Sequence, residues 1–356
     1  TESEKIAKRF NFGFEMLELL ESKAIRIGFR EGRKKFDQIV QERELVLKKI
    51  RLKMYVHDSY YRLILDPQLN NPNNTLFAKT FLEECLEKIS VLSTGKMTPG
   101  VEFTYLYLEF ELALIKKEFK KCINILKRQI FLIGKDERLN NNQRRSIVYC
   151  NLAQAHIILG NKSNARNYIN RCMLLDNQNS NNYFIHLEIS FLAYFFDNQL
   201  PNASSTLQIL LSAPSTHGAF RLSKYQYNFG CLRFAEGKHK EALKIFSQKF
   251  SFHTDRTGYA IWVRIMQILC LIELGQNLNA HAKITGLEKQ YHRIKKSSPL
   301  SIRTQLIIKF LLSFDKIDFT PSRLKASHKA LLNKLSEKKE SHSWEPFTPE
   351  LVKFHQ

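Results

Sequence analysis

Apolar residues recur along this chain at intervals of three and four, which places them on one face of an α-helix. The alternation of apolar and polar residues that is typical of β-strands is nearly absent. Glycine and proline are also sparse, with 13 and 9 residues in a chain of 356. The pattern therefore predicts an all-α fold.

Small residues recur within this helical pattern at intervals of 38 or 39 residues, and we call them the alanine ladder. Its members are Ala165, Ala203, Ala242 and Ala280. Five positions before each alanine stands a residue that is common in turns. These turn residues are Gly160, Asn198, Gly237 and Gly275. A fixed period of a few tens of residues is the signature of stacked helical hairpins.

The clearest unit lies at about residues 223–250. Gly230 is a small residue at a point where two helices can approach closely, and Gly237 suits the end of the first helix. Ala242 allows the second helix to pack tightly, and Phe246 fills the space one turn later. The unit therefore predicts two antiparallel helices joined by a short turn.

This order of small residue, aromatic residue, turn glycine, alanine and aromatic residue resembles the tetratricopeptide repeat (TPR). The resemblance covers about residues 100–296, and Cys122 takes the alanine place in the first unit. It implies an all-α, TPR-like α-α solenoid of about five to seven helical hairpins. The period exceeds the usual value of about 34 residues, so we expect longer helices or connections than in typical repeats.

The pattern divides the chain into four regions. The tail contains two aromatic side chains among charged residues, Trp344 and Phe347, which are candidates for docking back onto the array. The regions are an N-terminal helical region at 1–98 (a degenerate repeat or a bundle), the TPR-like array at 99–296, C-terminal capping helices at 297–336, and the tail at 337–356.

The net charge of +21 adds a second expectation, which concerns the partner. A field of this sign favours an acidic protein, a nucleic acid or an anionic membrane surface. However, the basic residues are spread over many short clusters, a distribution that solubility alone also explains. An acidic partner and diffuse electrostatics therefore both remain open.

The six cysteines lie far apart and form no CxxC pair, which is typical of free thiols in a reducing compartment. No apolar run reaches the length of about 18 residues that a membrane span needs. We therefore expect a cytoplasmic protein without a membrane span. The chain begins at Thr1 rather than Met, so removal of a leader stays open.

Motifs for catalysis are missing from the sequence. It contains no phosphate-binding loop, no GxGxxG, no GxSxG and no HExxH. Histidines are scattered, and the acidic pairs lie beside basic residues on helical faces, which is typical of solvated surfaces. We expect no enzyme activity, no catalytic residue, no metal site and no cofactor.

In TPR proteins the first helix of each repeat lines the concave groove, so the resemblance implies a set of groove residues. An Asn amide both donates and accepts, which suits the backbone of an extended ligand, although a merely solvated Asn is an equal alternative. The two-carboxylate clamp of chaperone-binding TPRs is incomplete here. The candidate groove residues are Asn151, Gln154, Glu188, Lys224, Tyr227, Asn228, Trp262 and Met266.

These observations predict a non-catalytic scaffold or adaptor that binds a protein or peptide through its concave face. The alternative is a basic α-solenoid that binds nucleic acid or serves as the effector domain of a regulator. The sequence leaves open whether the groove is empty or is filled by the chain's own N-terminal helices or tail.

Overall fold

The computed structural model is built from α-helices, and the residues that it describes contain no strand. The all-α prediction is therefore confirmed. The side chains of residues 4, 8–10 and 181 lie outside the description. The described residues are 2–10, 12–69, 74–93, 95–175, 181–212, 218–252, 255, 258–294, 300–337, 344–352 and 354.

The chain forms two compact units, which meet in sequence between Ala155 and His156. We call them unit 1 and unit 2. The boundary falls inside the helix Asn142–Ile158, which runs through it without a break. The four regions predicted from the sequence follow changes in the repeat pattern, whereas the two units follow the packing of the helices. The limits of the four regions therefore stay predictions.

Unit 1 is organised around one long helix, α3. This helix packs against α2, α4 and α5, and its Val56 is fully buried together with Leu82, Ile89 and Leu108. The helices of this unit are α1 (Glu2–Phe10), α2 (Gly13–Glu31), α3 (Arg33–Leu65), α4 (Thr75–Leu92), α5 (Pro99–Ile115), α6 (Phe119–Lys135) and α7 (Asn142–Ile158), which continues past the unit boundary.

Unit 2 is a succession of helical hairpins in which each helix from α8 to α16 packs against the next one. The first helices of its hairpins are α9, α11, α13 and α15, and α11 also contacts α13 directly. We call the surface formed by these four helices the first-helix face. The helices are α8 (Lys162–Leu175), α9 (Asn181–Phe196), α10 (Leu200–Ser212), α11 (Ala219–Ala235), α12 (His239–Phe246), α13 (Tyr259–Glu273), α14 (Asn277–Ile294), α15 (Ile302–Asp315) and α16 (Ala326–Ser336).

The turns of the alanine ladder share one geometry. In the clearest hairpin, Gly237 has a φ of 74° and the amide of Lys238 donates to the carbonyl of Arg233 at 2.9 Å. This is a Schellman ending, which favours glycine because a side chain rarely adopts positive φ. The same geometry recurs at the other turn residues of the ladder and at Lys117, which precedes Cys122 by five positions. These residues are Lys117, Gly160, Asn198 and Gly275.

The ladder residues themselves are completely buried where the second helix crosses the first. Cys122 is equally buried in the alanine place, as the repeat pattern predicts. Burial raises the pKa of the Cys122 thiol to about 11, so this side chain stays neutral and packs as a small apolar group. All six cysteines are buried, and none of them forms a disulfide.

Gly230 lies where α11 and α12 approach each other closely. A Cβ atom placed on Gly230 would lie 2.6 Å from the Cε1 and Cζ atoms of Phe246, whose ring is fully buried. Real Cβ atoms do not approach other atoms this closely. The glycine and the phenylalanine that the repeat pattern singled out are therefore packed directly against each other.

We expect Gly230→Ala to destabilise unit 2 by about 1–3 kcal/mol, because the fully buried ring of Phe246 must shift to admit the methyl group. Gly286→Ala is the matched control, since it lies inside α14 and its nearest neighbour is the end of the Arg264 side chain at 3.9 Å. Alanine favours a helix interior, so this control should gain up to about 1 kcal/mol. Urea unfolding followed by circular dichroism measures both changes. Equal stability of the two variants would contradict the packing argument.

Candidate binding face of unit 2

The eight candidate groove residues fall on four helices. Asn151 and Gln154 lie on α7 in unit 1, where both are half-buried and the Gln154 amide lies 3.7 Å from the sulfur of Cys150. The others lie on α9, α11 and α13 of unit 2. These are Glu188 on α9, Lys224, Tyr227 and Asn228 on α11, and Trp262 and Met266 on α13.

Glu188 and Lys224 are brought together as an ion pair between neighbouring first helices. The Lys224 ammonium lies 2.6 Å from the Glu188 carboxylate, and the Tyr225 hydroxyl donates to the same carboxylate at 2.7 Å. Arg221 adds a second positive group, whose Nε lies 3.4 Å from the same carboxylate. Both predicted groove charges are therefore engaged with each other, which ties α9 to α11.

Four of the candidates are buried rather than open to solvent. Trp262 and Met266 lie in the interior of unit 2, and Tyr227 and Asn228 are equally enclosed. In this state they do not present a free surface. For Tyr227 the structure shows directly what covers the side chain, and the occupant is a segment of the chain itself.

That occupant is the part of the tail described at residues 344–352 and 354, which we call the C-terminal segment. It forms neither helix nor strand and contacts the first helices α9, α11 and α15. Leu351 and Glu350 are buried within unit 2. The first-helix face, whose occupancy the sequence left open, is therefore covered at these three helices by the chain's own tail.

Trp344 anchors the beginning of the C-terminal segment. Its ring meets Phe196 of α9 edge to face, with centroids 5.0 Å apart and planes at 87°. The indole N–H donates to the carbonyl of Glu350 at 2.8 Å, which folds the segment back on itself. The expected docking of the tail aromatics thus holds for Trp344, whereas 42% of Phe347 stays exposed.

Tyr227 anchors the middle of the segment through its hydroxyl, which donates to the carbonyl of Pro349 at 2.6 Å. Burial, together with the nearby Cys231, raises the pKa of Tyr227 well above its ordinary value. The phenol therefore stays protonated and keeps its role as a donor. The tyrosine recognises a backbone carbonyl, a contact that does not depend on the side chain of the partner residue.

Arg303 of α15 holds the carboxylate of Glu350 in a bidentate ion pair. Its Nε donates to one carboxylate oxygen, and its Nη2 donates to the other at 2.6 Å. The remaining nitrogen, Nη1, donates to the carbonyl of Leu335 at 2.8 Å. Both residues are buried, with 6% of Arg303 and 2% of Glu350 exposed. A fork-shaped guanidinium is the group best suited to hold a carboxylate in this geometry.

Phe196, Arg303 and Glu350 were not among the candidates from the sequence. Arg303 carried only a weak signal, since it is a charged residue near the start of a mainly apolar helix that also contains Lys309 and Asp315. Its partner lies 47 residues away in a segment outside the repeat, so no periodicity connects the two. Pairing of this kind follows from the path of the tail.

Comparisons with known proteins place the fold but no family. A scan of protein-family models found no match, and a search of curated proteins found none either. Among solved structures, the chain is similar to the apo form of the quorum sensor NprR from B. thuringiensis. The TM-score is 0.57 at 14% sequence identity, over 92% of this chain and 86% of that one. At this identity the similarity shows a shared helical-repeat fold.

No described helix combines the length and the apolar character that crossing a bilayer requires. The described His, Cys, Asp and Glu side chains also form no group of three that could hold a metal ion.

We expect Tyr227→Phe to loosen the C-terminal segment, because a net hydrogen bond of about 1 kcal/mol corresponds to about a fivefold change in an equilibrium. Amide hydrogen exchange in residues 344–352 should accelerate by about that factor. Tyr225→Phe is the matched control, since Tyr225 is equally buried on the same helix but donates to Glu188. Equal exchange in the two variants would show that the Pro349 contact does not hold the segment.

Proposed function

We propose that this protein is a non-catalytic binding module that takes a protein segment or peptide on its first-helix face. The observation that carries the proposal is the C-terminal segment, an irregular stretch of polypeptide bound across α9, α11 and α15. A surface that holds one such stretch through an aromatic ring, a hydroxyl and a guanidinium has the groups needed to hold another.

The helical-repeat fold also supports a binding role. Helical-repeat folds present long surfaces made from the same position of successive hairpins, and they commonly serve recognition. A quorum sensor shares the fold, which is support by analogy. We therefore propose a cytoplasmic adaptor or sensor without cofactor or enzymatic activity.

The proposed contact residues are those of the repeat register. In unit 2 they are Tyr227 and Asn228, beside the Glu188–Lys224 pair. Asn151 and Gln154, half-buried on α7, belong to unit 1, and we propose them as ligand contacts of that unit by itself. Each asparagine can donate to a ligand carbonyl and accept from a ligand amide at once.

A selection from a displayed library of random 15-residue peptides, carried out on the full chain, tests the proposal. We expect enriched peptides to protect amides of α9, α11 and α13 from hydrogen exchange. Asn228→Ala should weaken their binding about tenfold, because the peptide loses the two hydrogen bonds that this amide can make, each with a net value of about 1 kcal/mol.

The matched control replaces an exposed asparagine on a second helix of the same unit, Asn202→Ala on α10. This variant should bind the selected peptides as the unchanged protein does. Undiminished binding in the Asn228→Ala variant, or protection confined to other helices, would contradict a peptide site on the first helices.

The alternative partner is a nucleic acid, which the net charge of +21 brings into consideration. Such binding would fall steeply as salt rises, since it releases counterions from the phosphate backbone. A titration with a random 20-nucleotide RNA at two salt concentrations separates the two proposals. Tight RNA binding together with failure of the peptide selection would favour the nucleic-acid role.

A further inference from the structure

The contacts of the C-terminal segment have an order that defines a recognition pattern. Phe196 takes an aromatic side chain, Tyr227 takes a backbone carbonyl five residues later, and Arg303 takes the carboxylate of the following residue. These three receptors lie on three different first helices of unit 2. The first-helix face therefore recognises a polypeptide that has an aromatic residue and, at a fixed separation from it, an acidic residue.

Arg303 is held in place for a carboxylate by the protein around it. Its Nη1 donates to the carbonyl of Leu335 in α16, which fixes the plane of the guanidinium. The Nε and Nη2 atoms then point together toward one carboxylate. Because rigid and bidentate geometry suits a planar acid group, a neutral or basic side chain at this place could not satisfy both donors.

Burial makes the acidic residue a requirement. A guanidinium that remains enclosed without its partner is strongly unfavourable, since its desolvation is no longer compensated. Any occupant that replaces the C-terminal segment must therefore bring a carboxylate to Arg303 or leave it open to water. The unpaired charge acts against occupants that lack the acid, which is the usual physical basis of selectivity.

We propose that the C-terminal segment is a built-in competitor for the partner's site, and that the partner is a peptide segment with an aromatic residue followed six residues later by Asp or Glu. The inference rests on the proposed function and names its ligand chemistry. The segment blocks the face until a matching partner displaces it. The positive charge of the whole protein attracts an acidic partner of this type.

The tether gives the segment an advantage over a free peptide. A covalently linked occupant acts at an effective concentration in the millimolar range, so a free peptide of the same sequence binds weakly to the unchanged chain. Weakening the tethered copy removes this competition without altering the three receptors. The affinity of the free peptide should then rise.

The experiment measures binding of a synthetic peptide with the sequence of residues 344–354, by calorimetry, to the full chain and to its Trp344→Ala variant. Trp344→Ala removes the ring contact and the indole hydrogen bond from the tethered copy only. We expect the peptide to bind the variant about tenfold or more tightly than the unchanged chain, from the combined weight of the two lost contacts.

Receptor and ligand controls identify the contact. In the Trp344→Ala background, Arg303→Gln should abolish binding, and Lys309→Gln, an exposed position on the same helix, should leave it unchanged. A peptide that carries Gln at the place of Glu350 should fail to bind. The peptide with Gln tests the contact without any change in the protein. Circular dichroism checks that each protein variant keeps its helices.

A second readout follows displacement directly. The chain is labelled with ¹⁵N and the peptide is not, so mass spectrometry distinguishes the two copies of the segment. Saturating peptide should accelerate hydrogen exchange at the chain's own amides in residues 344–352. Equal affinity for the unchanged chain and the Trp344→Ala variant would overturn the inference, as would no binding to either. The proposed function would still stand in both cases if library peptides protect the first helices, so the two failures are distinguishable.

Discussion

The rest of unit 2 depends on how closely the two helices of each hairpin approach. The ladder alanines and Cys122 are completely buried, so each of these positions on a second helix holds a small side chain. The positive-φ turn five residues earlier sets the direction in which the second helix leaves. The turn and the alanine therefore act together. The turn sets the direction of the second helix, and the small residue allows that helix to pack closely on the first. Repetition of this pair aligns the first helices as neighbours.

Alignment of the first helices explains which parts of the structure the sequence could predict. Positions about one period apart on successive first helices become neighbours, and Glu188 and Lys224, 36 residues apart, pair accordingly. The same periodicity predicts the helices, the turns, the burial of Cys122 in the alanine place and the contact between Gly230 and Phe246. These features are local or repeated, so a single sequence contains enough information to locate them.

The C-terminal segment lies outside that periodicity, which is why its contacts could be predicted only in part. Trp344 is conspicuous as an aromatic residue in a charged tail, and its docking could be anticipated. The pairing of Arg303 with Glu350 could not, because it depends on the path of a segment without regular structure. The sequence also could not predict the burial of Trp262 and Met266, since a stripe of apolar residues is compatible with a core or with an open face.

A buried ion pair is a suitable contact for an occupant that has to leave. Apolar side chains of similar volume often give equal or greater stability than a buried guanidinium and carboxylate, because desolvation offsets most of the attraction. The Arg303–Glu350 pair therefore adds more selectivity than stability to the docked state. Most of the remaining contacts of the segment are single hydrogen bonds and two edge-to-face ring pairs, Trp344 with Phe196 and Phe354 with Phe310, each of modest strength. Selective recognition with a modest total affinity is what reversible occupation of the first-helix face requires.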